Sequence, residues 1–103
     1  MAIPTDKMLP IHPGEFLREE LDELGLSARA FANALGVPHN RIAAILRGQR
    51  AVTADTALRL AAYFGTSADV WMNLQQSYDL KQAELEHGRE IRATVKASAR
   101  PKS

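Results

Sequence analysis

The stretch from Ser27 to Arg50 reads Ser-Ala-Arg-Ala-Phe-Ala-Asn-Ala-Leu-Gly-Val-Pro-His-Asn-Arg-Ile-Ala-Ala-Ile-Leu-Arg-Gly-Gln-Arg. Two short helical periodicities lie within it. Ala28, Phe31, Ala32 and Leu35 recur at i, i+3, i+4 and i+7, and Ile42, Ile45 and Leu46 form a second apolar face after Gly36-Val37-Pro38. Ser27 suits an N-cap, Gly36 a sharp backbone turn, Pro38 the opening of the next helix and Gly48 its stop. Small Ala32 lets the two helices cross closely. The spacing predicts a helix-turn-helix unit whose second helix exposes His39, Asn40, Arg41, Ala43, Ala44 and Arg47. In such units that helix lies in the major groove, its first residues on base edges. Charge points the same way. The stretch holds four arginines and no acidic residue, in a chain of 103 residues with net charge +1, whereas residues 13–26 just before it sum to −4. Clustered arginine on such a unit is an electrostatic footprint for phosphates, which release counterions when neutralised.

Outward from this unit the pattern stays helical. Residues 1–12 read as an extended arm, with Pro4, Pro10 and a His12 that precedes Pro13. Pro13 opens a first helix in which Leu17, Leu21 and Leu24 recur, Phe16 widens the stripe and Gly25 stops it. Thr53 caps a fourth helix with Asp55 in its first turn and Ala57, Leu58, Ala61 and Phe64 on its apolar side, before Gly65. Ser67 and Asp69 start a fifth, carrying Val70, Trp71, Leu74 and Tyr78, that is expected to fray between Leu80 and Gly88. The polar, basic segment from Arg89 to Ser103 lacks the apolar groups to offset its ordering entropy and reads as a mobile tail. The expected organisation is an arm over 1–12, a helix-turn-helix domain with a dimerising fifth helix over 13–80, and a helix extension with basic tail over 81–103.

Composition narrows the function classes. One modest core fits in 103 residues at 46% hydrophobic content, with no room for a separate catalytic domain. There is no cysteine, and no apolar run approaches the roughly 20 residues that span a bilayer, so a cytoplasmic protein without membrane attachment is expected. His12 and His87 have no partner at metal-ligand spacing, so no metal is expected. Glu15, Glu19, Glu20, Asp22 and Glu23 lie along one helix with no base nearby in sequence, which fits a solvated face and no acid/base pair. The reading is of a protein that binds, without enzyme activity or cofactor.

Most of the chain resembles the HigA-type antitoxin group of the phage-repressor-like (XRE) helix-turn-helix superfamily. The resemblance is carried by Ile11-His12-Pro13-Gly14-Glu15, by the turn from Gly36 to Ile42, and by Thr53-Ala54-Asp55-Thr56-Ala57-Leu58-Arg59-Leu60. Its most specific piece runs from Phe64 to Gln75, with Trp71-Met72-Asn73-Leu74-Gln75, and continues to Tyr78-Asp79-Leu80. It implies an all-α, five-helix, lambda-repressor-like domain. It further implies an antitoxin that dimerises, represses its own operon at a palindromic operator on double-stranded DNA, and neutralises a small basic toxin of the RelE-like mRNA-cleaving class. A repressor of the same superfamily acting without a toxin is the alternative.

Carried onto this sequence, the group's base-reading positions fall on His39, Asn40 and Arg41, with Ala43 and Ala44 one turn on. Asn pairs with adenine and Arg with guanine at about 1–3 kcal/mol of discrimination each, and Ala44 is placed for a thymine methyl. The phosphate-contacting positions fall on Ser27, Arg29, Arg47, Gln49 and Arg50, which hold register. Ala28 stands where many relatives have a bracing glutamine, and Pro38 where Ser or Thr often meets a phosphate, so no operator sequence carries over. The acidic face of Glu15, Glu19, Glu20 and Glu23 suits docking of a basic toxin. Trp71, Leu74 and Tyr78 are assigned to a symmetric dimer through helix five, which would set two recognition helices about 34 Å apart.

Overall fold

The computed structural model describes residues 10–98, which form five helices and, within that range, no strand. In order they are α1 (Pro13–Leu24), α2 (Ala28–Leu35), α3 (His39–Leu46), α4 (Ala54–Phe64) and α5 (Ala68–Thr94). The apolar stripes meet in one core, in which Leu17, Phe31, Ala32, Ile42, Ile45, Ala57 and Leu60 are wholly buried and Trp71 and Leu74 nearly so. Side-chain oxygens of Ser27 and Thr53 cap α2 and α4. Most of the expected arm and the end of the tail fall outside the described residues.

α1 starts on a residue to which the sequence pattern assigned no task. His12 is its N-cap: the ring Nδ1 accepts from the Gly14 amide at 2.9 Å. The ring is buried, stands edge-on to Tyr78 at 4.9 Å between centroids, and bonds to the backbone of Arg50. An acceptor at Nδ1 requires the neutral imidazole, because protonation would place a donor against a donor. Burial pushes the pKa in the same direction, below 6.5, against smaller opposing effects from the Arg50 backbone, Asp79 and Glu15. Beside it, Gly14 is where α1 touches α3: a Cβ there would run into the Ile45 carbonyl.

The turn between α2 and α3 depends on Gly36 at φ 73°, ψ 35°. In that left-handed conformation, costly for other residues, the chain reverses so that the Gly36 amide bonds the Asn33 carbonyl at 3.2 Å and the Val37 amide the Ala32 carbonyl at 3.0 Å. Pro38 is the N-cap of α3, with ψ 145°, and the first helical residue is His39, one position later than the sequence pattern implies.

The fifth helix departs most from expectation. It does not fray between Leu80 and Gly88 but continues to Thr94, 27 residues in all. Gly88, which reads as a breaker, instead gives the Glu84 carboxylate room, since a Cβ would collide with it. Glu84 thereby reaches across two turns to Arg92, at 2.7 Å, and the pair holds the Glu84 carboxyl below its usual range.

Two stability measurements follow. Gly14→Ala should destabilise the protein by about 1–3 kcal/mol or more in denaturant titration, because neither backbone at the α1–α3 contact can give way freely. A histidine whose folded pKa is depressed binds its proton more readily in the unfolded chain. Stability should therefore fall as pH drops from 6.5 towards the folded pKa. His12→Asn keeps a capping acceptor that does not titrate there, and melting curves from pH 7.5 to 5 should show a shallower loss for it than for the wild type.

Candidate nucleic-acid interface

α3 presents two faces set by its period. Ile42 and Ile45 are wholly buried against the core, Asn40 is exposed, and His39, Ala43 and Ala44 are half-buried on the outer side. No side chain caps its N-terminus, since Pro38 has none to offer. That end carries the positive end of the helix dipole, which favours negative charge.

Cations and donors flank α3 on both sides. At the start of α2, Ser27 and Arg29 are exposed, and the Ser27 hydroxyl accepts from the Ala30 amide at 3.1 Å, which leaves its proton available for donation. After α3, Arg47, Gln49 and Arg50 are exposed on the loop to α4, where Arg47 Nε donates to Gln49 Oε1 at 3.1 Å. Buried contacts hold this loop in place. The Val52 amide donates to Gln75 Oε1 at 2.8 Å, and Gln75 Nε2 donates to Asp79 Oδ1 at 2.9 Å, so a buried amide on α5 fixes the loop that carries three of the phosphate candidates. The Trp71–Gln75 segment was legible as a family mark, but the partner of Gln75 lies 23 residues away and no local pattern reveals it.

Arg41, expected at a base edge, is engaged within the chain. Its Nη1 lies 2.7 Å from Asp55 Oδ2 at the start of α4, and its Nε is buried without a hydrogen-bond partner. It therefore reaches along the protein surface to the start of α4, not outward with Asn40. The same carboxylate oxygen accepts from Arg59 Nε at 3.0 Å, and Arg59 Nη1 donates in turn to the Leu35 carbonyl at 2.8 Å. Two guanidinium groups hold the Asp55 carboxyl below its usual range, Arg59 contributing most. Arg18, the one basic residue of α1, is likewise engaged: its Nη2 donates to the Leu46 carbonyl at the end of α3, at 2.7 Å. Neither the Arg41–Asp55 pair nor the Arg18–Leu46 contact was legible in the sequence, since each joins two different helices.

Two further assignments meet the structure. Trp71 and Leu74 are 1% and 4% exposed, packed among α5's own partners in the chain, so they offer no surface to a second copy; this corrects their assignment to a dimer interface. Tyr78 is half-buried against His12. The large apolar side chains of α5 that do face outward are Leu80, Leu85 and Ile91, with Val95 just past its end. On α1, Glu15, Glu19 and Glu23 are exposed and Glu20 is half-buried. Among the described residues no group of three or more His, Cys, Asp or Glu could hold a metal ion, and no helix is long and apolar enough to cross a membrane.

Comparison with known proteins gives this geometry a context. A helix-turn-helix family model matches residues 17–71. Virulence-associated protein I of Dichelobacter nodosus is 59% identical over 87 residues, covering 82% of this chain and 81% of that protein. The solved structure of a HigA-family addiction module antidote protein from Coxiella burnetii is 51% identical, with a TM-score of 0.85 over 88% of this chain and all of that one. The Pseudomonas aeruginosa antitoxin HigA, solved with the higBA promoter, is 46% identical, with a TM-score of 0.82 over 84% of this chain and 96% of that one.

Proposed function

This chain belongs to the XRE-type helix-turn-helix family, among its HigA-like antitoxins, and from that premise we propose that it represses its own promoter and neutralises a toxin encoded beside it. The observation that carries the DNA half is the arrangement around α3. An uncapped helix start with Asn40 outermost is bracketed by Ser27 and Arg29 on one side and Arg47, Gln49 and Arg50 on the other. A helix seated in the major groove needs base readers at its start and donors to the two phosphate backbones beside it, and the exposure of these residues supports that layout. Asn40 and His39 read base edges, Ala44 meets a thymine methyl, and the flanking groups hold register. The protein works by binding and not by catalysis. A promoter-bound relative at 46% identity supports the reading.

The antitoxin half rests on the likeness to the Coxiella and Pseudomonas proteins and on the acidic outer face of α1, where Glu15, Glu19 and Glu23 are exposed. A toxin that cleaves mRNA on the ribosome is drawn to RNA and tends to be basic, so an acidic helix face complements it and steers its approach. Dimerisation uses the outward apolar residues of the distal half of α5, beginning with Leu80, and places two α3 helices on an inverted repeat in the cytoplasm.

Co-expression with the neighbouring small reading frame tests the antitoxin half. The product alone should arrest growth, and a tagged copy of this chain should retain it and restore growth. A harmless product that does not co-purify would leave a repressor that acts without a toxin. Reversal of Glu19 and Glu20 to Lys should weaken toxin retention at least several-fold with DNA binding intact; unchanged retention would remove α1 from the toxin interface.

For the DNA half, Asn40→Ala should lower the ratio of operator to random-sequence affinity by about 1–3 kcal/mol. Arg47→Ala should weaken binding to both and reduce the slope of log K against log salt by about one. Binding to the region upstream of its own gene, followed by fluorescence anisotropy at several salt concentrations, distinguishes the two. Equal loss on all sequences for Asn40→Ala would mean that the reading residues lie elsewhere.

A further inference from the structure

Asp55 is an unexpected residue to find beside a phosphate-binding surface. It is exposed, it lies next to the recognition helix, and its negative charge repels DNA. One of its oxygens nevertheless binds both Arg41 on α3 and Arg59 on α4, and Arg59 continues to the carbonyl that ends α2. A single carboxylate thus ties the end of α2, the start of α3 and the start of α4. The Arg41 side chain is only 24% exposed in this arrangement, and its buried Nε has no partner. A buried donor without a partner favours the rotamers that return it to water. The carboxylate is the contact that holds the guanidinium down.

We propose that Asp55 is a positioning residue for DNA recognition: it keeps Arg41 against α4 and away from the phosphates, so that α3 is seated by Asn40 and its neighbours on bases. This rests on the DNA-binding reading above. The physical reason is selectivity. A free arginine at the third position of α3 finds a phosphate on any sequence, and the counterions it releases strengthen wrong and right sites alike. It also lets α3 rest on DNA with Asn40 out of register. By holding Arg41, Asp55 removes one sequence-blind contact from the middle of the reading surface and leaves such contacts to the flanks, where Arg29, Arg47 and Arg50 set position without competing with the bases.

Salt-dependent binding to two duplexes tests this, one selected by the wild-type protein from a randomised pool and one of random sequence. In Asp55→Asn, the slope of log K against log salt on the random duplex should steepen by about 0.9, the equivalent of one added phosphate contact. Random-duplex affinity near 0.1 M salt should rise several-fold, and the selected-to-random ratio should fall. Adding Arg41→Gln to that variant should return the slope to the wild-type value. Arg41→Gln alone should leave it unchanged on the random duplex, a readout that does not need the Asp55 variant to fold. An unchanged slope in Asp55→Asn, or uniformly weaker binding with a lower melting temperature, makes Asp55 a purely structural residue and overturns the proposal. So does a shallower slope for Arg41→Gln alone, because Arg41 would then contact phosphate despite Asp55. Failure of the wild-type protein to select or bind any duplex would instead overturn the DNA-binding reading itself.

Discussion

α3 has eight residues, fewer than the roughly 12–15 at which an isolated helix is even marginally stable in water. The reading helix therefore has no shape of its own, and the rest of the domain imposes it. Burial of Ile42 and Ile45 supplies the main driving force, at about 1.5–3 kcal/mol for each side chain. Every other helix adds a restraint. α1 approaches through Gly14 and holds the last turn through Arg18; α2 is fixed by the Gly36 reversal; α4 holds the first turn through Asp55; and α5 anchors the following loop through Gln75. These restraints are placed at the two ends of α3 and not along its outer face. That is what an interface needs, since the outer face must stay free while the orientation is fixed.

The charge pattern follows from the same economy. Ser27 to Arg50 carries +4 in sequence, but in space Arg41 is neutralised by a residue of the next helix. The exposed arginines of the stretch are then Arg29, Arg47 and Arg50, at the borders of the unit and not at its centre. On the DNA-binding reading proposed above, sequence-blind attraction is concentrated where register is set, and the centre is left to polar and small side chains placed to distinguish bases. Arg18 shows the converse on α1: the one basic residue in a strongly acidic segment is turned towards the Leu46 carbonyl, leaving the outer face of that helix to carboxylates.

What was legible in the sequence is what depends on local periodicity and local backbone chemistry. Leu17, Phe31, Ala32, Ile42 and Trp71 are core because they recur at helical spacing, and Ser27, Gly36 and Thr53 sit at helix ends for reasons contained within a few residues. The polar contacts were not legible, because each joins residues far apart in sequence: Arg41 to Asp55, Arg59 to Leu35, Val52 to Gln75. His12 shows the limit sharply. Its place before proline suggests extended backbone, which is correct, but the capping role of a neutral ring depends on burial by Tyr78 and the loop at Arg50, which no window around residue 12 contains.

The fifth helix combines both lessons. Its first half is required by the core, where Trp71 and Leu74 fill space between the other helices, and this is why they are unavailable to any partner. Its second half has no core to rest on, yet it stays helical past a glycine that periodicity would read as a stop. Helix-favouring residues such as Gln82, Ala83, Leu85 and Glu86 contribute, and so does the Glu84–Arg92 pair that the missing Gly88 side chain makes room for. An exposed ion pair adds little to stability, too little to offset leaving Leu80, Leu85 and Ile91 in water. Those side chains are costly where they stand unless something covers them. On the dimerisation proposed above a second copy covers them, and the distal half of α5 then resembles the outer face of α3 in one physical respect: the rest of the chain holds its conformation without using the side chains it presents.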